Sequence, residues 1–206
     1  MMICCADIGS VVNDRFGWAA HSGDPDREEW SGKDIREFAQ FVADRLAVKR
    51  KVALGFECPL WIPIADEPSS LTRARSGEGN RAWSAAAGAA SLTTGLAQVV
   101  WILDRIRQRS NDTKAFLDWE SFQRSKSGLF IWEAFVTGSA STGSDERDAM
   151  AAVTAFRRAL GDPGPKSAVE PKSPTRSLIG AALLWAGWST DVQLLRTPCI
   201  VIRAHE

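Results

Sequence analysis

The chain has 206 residues, of which 45% are apolar, so it is long enough for one large domain with a substantial core. Its 25 basic residues balance its 25 acidic residues, which excludes binding through a strongly basic overall surface. Any contact with nucleic acid must therefore use a local patch of the surface.

The four cysteines predict neither a zinc site nor a disulfide framework. Cys4 and Cys5 are adjacent, while Cys58 and Cys199 are isolated, so the sequence contains no Cys-x-x-Cys pair. No basic region followed by a long apolar stretch opens the sequence, and no run approaches the about 18 apolar residues of a membrane span. We therefore expect a cytoplasmic protein without a membrane partner.

The first part of the chain predicts strands around one amphipathic helix. The predicted strands are 2–6, 16–21, 28–30 and 52–57. Apolar residues recur at helical spacing from Ile35 to Leu46, with Ser31 as the expected cap. Residues 62–82 are rich in Pro, Ser, Gly and Arg, which predicts a long surface loop.

The later part of the chain predicts mainly helices. Helices are predicted at 83–109, 144–160 and 178–188, and strands at 129–136 and 199–202. A segment rich in Pro and Gly, 161–176, is expected to be a connector. Because strands and helices are mixed along the sequence, we predict a single α/β domain over residues 1–206, with a mixed sheet flanked by helices.

Three predicted strands carry an acidic residue that a buried strand normally excludes. Asp7 ends the first strand, Glu57 ends strand 52–57, and Glu133 interrupts LFIWEAFV. A buried carboxylate is unfavourable by several kcal/mol unless it is paired or bound to a cation. The carboxyl ends of strands in an open α/β sheet converge on one rim, where ligands bind. Asp145 and Asp148 are three residues apart on one face of a later predicted helix.

Together these acids predict a site for a divalent cation. Oxygen ligands without His or Cys favour Mg²⁺ or Mn²⁺ over zinc. Two such ions can activate water and stabilise the leaving oxygen in phosphodiester cleavage. The predicted catalytic and metal-binding residues are Asp7, Glu57, Asp145 and Asp148, with Glu133 as a further metal ligand.

Each acid also has a structural explanation. Asp7 can make a turn, Glu57 can pair with an arginine of the following loop, and Glu133 can face solvent at an edge strand. Asp145 lies where a first-turn acid stabilises the helix dipole. Asp148 lies deeper in that helix, where capping explains it less well.

The loop at 62–82 supplies the predicted substrate contacts. Arg75 and Arg81 can bind a substrate phosphate in bidentate geometry, or they can pair with acids of the same loop. Trp61 and Trp83 flank the loop and are candidates for a ligand contact such as stacking on a base. The predicted substrate-binding residues are Arg75, Arg81 and Trp61.

At these residues the sequence resembles the ribonuclease H-like superfamily, and in particular its branch of predicted nucleases. The resemblance is carried by ADIGS at 6–10, FECPLWIP at 56–63, RSGEGNR at 75–81, IWEAF at 131–135 and DERDAMAAVTAF at 145–156. It implies a mixed sheet flanked by helices, with divalent metal held by acids of the first strand, the fourth strand and a late helix. The matching positions in this sequence are Asp7, Glu57, Asp145 and Asp148.

This sequence departs from that branch at two positions. The branch commonly has Asp where this chain has Glu57, a change of one methylene that metal ligation can absorb. It also tends to have an acid followed by Pro in the fifth strand, whereas Glu133 is followed by Ala134. The second departure leaves the role of Glu133 open.

Three functions follow as alternatives. The first is a Mg²⁺- or Mn²⁺-dependent nuclease or phosphodiesterase. The second is a non-catalytic binding or scaffold protein on the same fold, which the balanced charge and the departure at Glu133 favour. The third is an actin-like ATP-binding enzyme, because residues 7–10 resemble the first phosphate loop of that class. A chain of 206 residues leaves little room for the other motifs of actin-like enzymes.

Overall fold

A computed structural model describes residues 1–23, 28–79, 82–137 and 141–204. Its strands are β1 (Met2–Asp7), β2 (Gly17–Ser22), β3 (Glu29–Gly32), β4 (Lys51–Glu57), β5 (Trp61–Pro63), β6 (Ala115–Phe116), β7 (Gly128–Val136), β8 (Thr175–Ser177) and β9 (Val201–Ala204). Its helices are α1 (Ile35–Ala47), α2 (Ala86–Arg107), α3 (Trp119–Arg124), α4 (Asp145–Ala159) and α5 (Leu178–Trp185).

Seven of the described strands form one mixed sheet in the order β3-β2-β1-β4-β7-β6, and β9 also pairs with β7. The first three strands are antiparallel neighbours, whereas β4 is parallel to β1, and β7 is parallel to β4. Strands β6 and β9 run parallel to β7 along its early and late residues. Because β1, β4 and β7 are parallel, their carboxyl ends lie at the same edge of the sheet.

Helices cover both faces of the sheet. One face packs against α1, α2 and α5 through residues such as Cys4, Leu54 and Ile131. The opposite face packs against α3 and α4 through residues such as Cys5 and Trp132. Central strands that are buried on both faces need apolar side chains in both directions, which explains the nearly continuous apolar runs of β1 and β4. The predicted fold class is confirmed: an α/β protein with a mixed sheet flanked by helices, consistent with a ribonuclease H-like arrangement.

Some local features differ from the sequence-based prediction. Helix α1 is capped by Asp34 rather than Ser31, because the Asp34 carboxylate accepts hydrogen bonds from the backbone N–H groups of Arg36 and Glu37. The segments predicted as a loop and a connector contribute β5 and β8, which pair as a separate two-stranded antiparallel sheet. The short elements β6 and α3 had no predicted counterpart.

Among the described helices, α2 alone is long and apolar enough to cross a bilayer by length and composition. Its second half packs into the core beside α1 and α5, through Val99, Ile102, Leu103 and Ile106. Only 22% of its apolar 18-residue window is buried, so much of α2 remains at the surface of the fold.

Candidate carboxylate site

Asp7 and Glu57 are neighbours at the carboxyl ends of the two central strands. They are register partners in the parallel pair β1–β4. Both side chains are on the sheet face that α4 covers, because Asp7 follows Cys5 by two residues and Glu57 follows Ala53 by four. Burial raises the pKa of the Cys5 thiol far above its usual value, and the charges of Glu57 and then Asp7 raise it further. The two carboxylates therefore lie over the same buried thiol.

Helix α4 brings two more acids to Asp7. Gly17 is the register partner of Asp7 in β2, and the start of α4 packs directly on this glycine. A Cβ atom at Gly17 would lie 2.4 Å from the carbonyl carbon of Asp145 and 2.5 Å from the amide nitrogen of Glu146. The absence of a side chain at position 17 thus lets the first turn of α4, which carries Asp145 and Asp148, approach the end of β1.

The electrostatics of Asp7 reflect this arrangement. The pKa of Asp7 is raised to about 7, mainly by burial and then by the negative charges of Asp145 and Asp148. The nearby Arg15 acts in the opposite direction and lowers this pKa. The Arg15 Nε lies 3.6 Å from Asp145 Oδ1, with an Arg15 side chain that is 67% exposed. Asp7 therefore releases its proton less readily than an ordinary aspartate, and a nearby cation would stabilise its charged form.

Asp148 is buried and accepts three hydrogen bonds. Its Oδ2 accepts one from the Ser141 hydroxyl at 2.8 Å. Its Oδ1 accepts one from the Thr142 backbone N–H at 2.7 Å and one from the Thr142 hydroxyl at 2.8 Å. The carboxylate thus joins residues 141–142 to α4, and these hydrogen bonds hold its orientation.

The oxygen-only donor set of this site matches the chemistry of Mg²⁺ or Mn²⁺. Within residues 1–23, 28–79, 82–137 and 141–204, however, no three or more His, Cys, Asp or Glu side chains are grouped so that they could hold a metal ion. Mg²⁺ often keeps several of its waters and uses only one or two carboxylates of the protein. The described residues around Asp7 therefore do not form a cage of protein ligands for a metal ion.

Glu133 lies away from this site, which corrects its predicted role as a metal ligand. Its neighbours Trp132 and Ala134 face α4, so Glu133 points to the opposite face of the sheet. There the Arg75 guanidinium donates to both of its carboxylate oxygens, at 2.8 and 2.5 Å. The Leu60 backbone N–H donates to the same carboxylate at 2.9 Å. Glu133 is buried, so the alternative of a solvent-facing edge position is wrong as well.

Arg75 and Trp61 are also core residues, which corrects the predicted roles of Arg75 in binding a substrate phosphate and of Trp61 in stacking on a base. The Arg75 side chain is 2% exposed and donates to Glu78 Oε1 at 2.8 Å as well as to Glu133. The alternative that Arg75 pairs with an acid of its own loop is therefore correct. Trp61 is 1% exposed, and its ring lies 4.7 Å from the Arg75 guanidinium carbon. The third predicted substrate contact, Arg81, lies outside the described residues.

A cavity of about 410 Å³ adjoins Glu57 at the end of the sheet. Its wall includes Glu57, the buried Arg75–Glu78–Glu133 cluster, the ring of Trp83 and the first residues of α2. Sequence reasoning had identified Trp83 as a candidate ligand contact but had not predicted the cavity. The acidic residues Glu57, Glu78 and Glu133 come from three separate segments, so their common location depends on the tertiary fold.

Comparison of the chain with protein-family models, with curated proteins and with solved structures gives no match.

Proposed function

We propose that this protein is a phosphodiester hydrolase that depends on Mg²⁺ or Mn²⁺ and acts on nucleic acid, with its active site around Asp7. The observation that carries the proposal is the position of Asp7, partly buried at the end of a central strand and close enough to Asp145 and Asp148 for their charges to raise its pKa. Holding like charges together destabilises a fold, and such strain concentrates at functional sites. The resemblance of the sequence motifs to the ribonuclease H-like superfamily supports the same assignment.

Each residue has a role in this proposal. Asp7 and Asp145 would hold the hydrated cation, with Glu57 beside them, and Asp148 keeps the start of α4 in place through Ser141 and Thr142. A bound divalent ion polarises a phosphoryl oxygen and lowers the pKa of a coordinated water. A cation bound beside Asp7 would lower the pKa of this carboxyl and hold it in its charged form.

Arg15 has a separate role at the edge of the site. Its exposed guanidinium beside Asp145 can bind a phosphate group of the substrate.

The first test measures cation binding through thermal stability. A cation that binds only the native state stabilises it, so MnCl₂ should raise the melting temperature of the wild type in proportion to ln(1 + [L]/Kd). Asp7→Asn and Asp145→Asn should lose this response. Asp112→Asn, an equivalent change on an exposed turn, should keep it. The same cation response in Asp7→Asn and the wild type would place the cation elsewhere.

The second test measures cleavage directly. Labelled single-stranded, duplex and branched DNA and RNA are incubated with Mg²⁺ or Mn²⁺. We expect cleavage by the wild type and by Asp112→Asn, and a loss of at least about 100-fold in Asp7→Asn, as expected for a group at the reacting centre. Equal activity of the wild type and Asp7→Asn would reject this active site.

A non-catalytic binding protein on the same fold is the second candidate. Two observations favour it: the described residues contain no group of three acids arranged for a metal, and the Asp148 carboxylate is already hydrogen bonded to Ser141 and Thr142. This candidate predicts no thermal response to Mn²⁺ and no cleavage of any nucleic acid.

A cytoplasmic location also remains our proposal. All four cysteines are free and buried, which is compatible with a reducing compartment. The burial of these thiols also explains why they can be inert packing residues.

A further inference from the structure

The cavity next to Glu57 has the size and position of a ligand site. Its volume of about 410 Å³ is within the range of roughly 300–1,000 Å³ that is usual for small-molecule pockets. Glu57 belongs both to its wall and to the end of β4, directly beside Asp7. Asp7 itself does not line the cavity, but its strand is only about 4.8 Å from that of Glu57, so Glu57 links the cavity to the proposed reaction site.

The walls of the cavity suit a flat, largely apolar group. The rings of Trp83 and Phe135 contribute, together with small side chains from residues 85–88 and Ser91. The Trp83 indole N–H donates to the Arg73 backbone carbonyl at 3.0 Å, which fixes the ring. The Arg203 guanidinium carbon lies 4.7 Å from the centre of the Phe135 ring and orders that side chain. Ordered aromatic rings beside small residues are a suitable setting for stacking.

The charges of the cavity restrict the ligand further. The residues that line it include three acids, Glu57, Glu78 and Glu133, against one basic residue, Arg75. Arg75 is hydrogen bonded to two of them, so the wall keeps an excess of negative charge. A phosphate group inside the cavity would be repelled, whereas a neutral group that donates hydrogen bonds would be attracted.

We infer that this cavity receives an unpaired nucleobase with an exocyclic amino group, as part of a single-stranded or locally opened nucleic-acid substrate. The base lies between Trp83 and the end of β7, with its amino group towards the carboxylates. Its phosphate lies outside, towards Asp7 and Asp145; this placement rests on the proposed hydrolase function. Enzymes that act on extruded nucleotides hold the base in such a pocket, by stacking and by hydrogen bonds to its edge.

The test uses nucleosides, which contain no phosphate and need no cation. Adenosine and cytidine are added to the protein in EDTA, and saturation-transfer NMR records which ligand protons contact the protein. We expect transfer to the base protons, and little transfer to methyl riboside, which lacks the base. Transfer to riboside protons at the level of the nucleosides would overturn the inference.

Paired variants locate the binding. Ser91→Phe fills the cavity and should abolish nucleoside binding, whereas Ala90→Phe, one residue away on the same helix and outside the cavity wall, should retain it. Trp83→Leu should weaken binding by roughly 5- to 150-fold, the range for loss of one base–aromatic stack, while Trp83→Phe should retain most of the affinity. The two Trp83 variants both lack the indole donor to Arg73, so their difference isolates stacking. Melting curves of each variant establish that it is folded.

The outcomes separate this inference from the hydrolase proposal. Nucleoside binding without cleavage of nucleic acid would reject the hydrolase and keep the base-binding cavity. Cleavage that depends on Asp7, with no nucleoside binding, would reject the cavity assignment alone. Binding of the cationic amine agmatine in place of the nucleosides would show that the excess negative charge serves a cationic ligand, and would also overturn the inference.

Discussion

The Arg75 guanidinium donates hydrogen bonds to both carboxylate oxygens of Glu133, across 58 residues of sequence. Burial alone lowers the pKa of Arg75, but the charges and hydrogen bonds of Glu133 and Glu78 raise it above its usual value, so the guanidinium stays charged. The side chains of all three are at most 2% exposed. Through these hydrogen bonds the cluster joins the segment after β4, which carries Arg75 and Glu78, to the central strand β7. The same three residues form one wall of the cavity.

Removing one member of the buried cluster should strongly destabilise the protein. Arg75→Met leaves two buried carboxylates without their cation, and we expect a loss of about 3–5 kcal/mol in the free energy of unfolding. Arg73→Met, at an exposed position two residues earlier, should change it by less than about 0.5 kcal/mol. Urea unfolding followed by circular dichroism measures both values. A loss below about 1 kcal/mol in Arg75→Met would show that Arg75 does not pair with both buried carboxylates in the folded protein.

Asp7 should make the protein less stable as the pH rises. Its pKa is about 7 in the folded chain against 3.8 for an ordinary aspartate, so between pH 4 and 7 the folded state holds a proton that the unfolded state releases. Stability conferred by this proton is therefore lost as the pH increases through that window, by at most about 4 kcal/mol. Asp7→Asn removes the effect, so the variant should be more stable than the wild type at pH 8.

Urea unfolding at pH 4.5, 6 and 8 checks this expectation. The advantage of Asp7→Asn over the wild type should be largest at pH 8 and smallest at pH 4.5. Asp112→Asn, on an exposed turn, should show no such trend relative to the wild type. A wild type that gains stability relative to Asp7→Asn between pH 4.5 and 8 would contradict the raised pKa.

The neighbours of Asp7 should shift its pKa in a fixed order. Asp145 raises this pKa more than Asp148 does, and Arg15 lowers it. We therefore expect the pKa to fall in Asp145→Asn, to fall less in Asp148→Asn, and to rise above about 7 in Arg15→Gln. Carbon-13 NMR titration of the aspartate carboxyl groups, assigned with Asp7→Asn, measures each value. Identical titrations in all three variants would mean that these charges do not act on Asp7.

The sequence predicted the location of the two acids at strand ends, Asp7 and Glu57, better than that of Glu133, which lies within a strand. Asp7 and Glu57 each end an apolar run, and the parallel pairing of two central strands places them side by side. For Glu133 the two-residue period shows only that it faces away from Trp132, since both faces of β7 are apolar. Contacts between segments far apart in the chain decide which face of β7 is covered by α4. Such contacts also decide that Arg75 reaches Glu133. The periodicity of a single sequence does not show which of these distant contacts forms.

The short strands β5 and β8 were not predicted for a different reason. The paired strands β5 and β8 have three residues each, too few for a periodic pattern to stand out. Their pairing depends on a partner more than 100 residues away, and the surrounding Pro, Ser and Gly residues predict a loop. The cavity beside Glu57 escaped prediction because its wall combines the end of β4, the segment of Arg75 and Glu78, the start of α2 and the end of β7, which are far apart in the sequence.

Gly17→Ala should separate α4 from the sheet and so move Asp145 and Asp148 away from Asp7. The added methyl carbon would lie 2.4 Å from the Asp145 carbonyl carbon, 2.5 Å from the Glu146 nitrogen and 2.7 Å from the Asp145 Cβ, so the helix itself must move. We expect a loss of about 1–3 kcal/mol in the free energy of unfolding, as for other overpacked sites. The pKa of Asp7 should fall towards its ordinary value, because Asp145 moves away and water enters.

Gly164→Ala is the matched control, because its added carbon would come no closer than 3.5 Å to the Asp162 carboxylate and would need no rearrangement. Urea unfolding and the Asp7 titration are measured on both variants, together with the Mn²⁺ response. A Gly17→Ala protein with normal stability and an Asp7 pKa still near 7 would mean that α4 is not held against β2. Since that packing places Asp145 beside Asp7, the proposed cation site would lose its geometric basis.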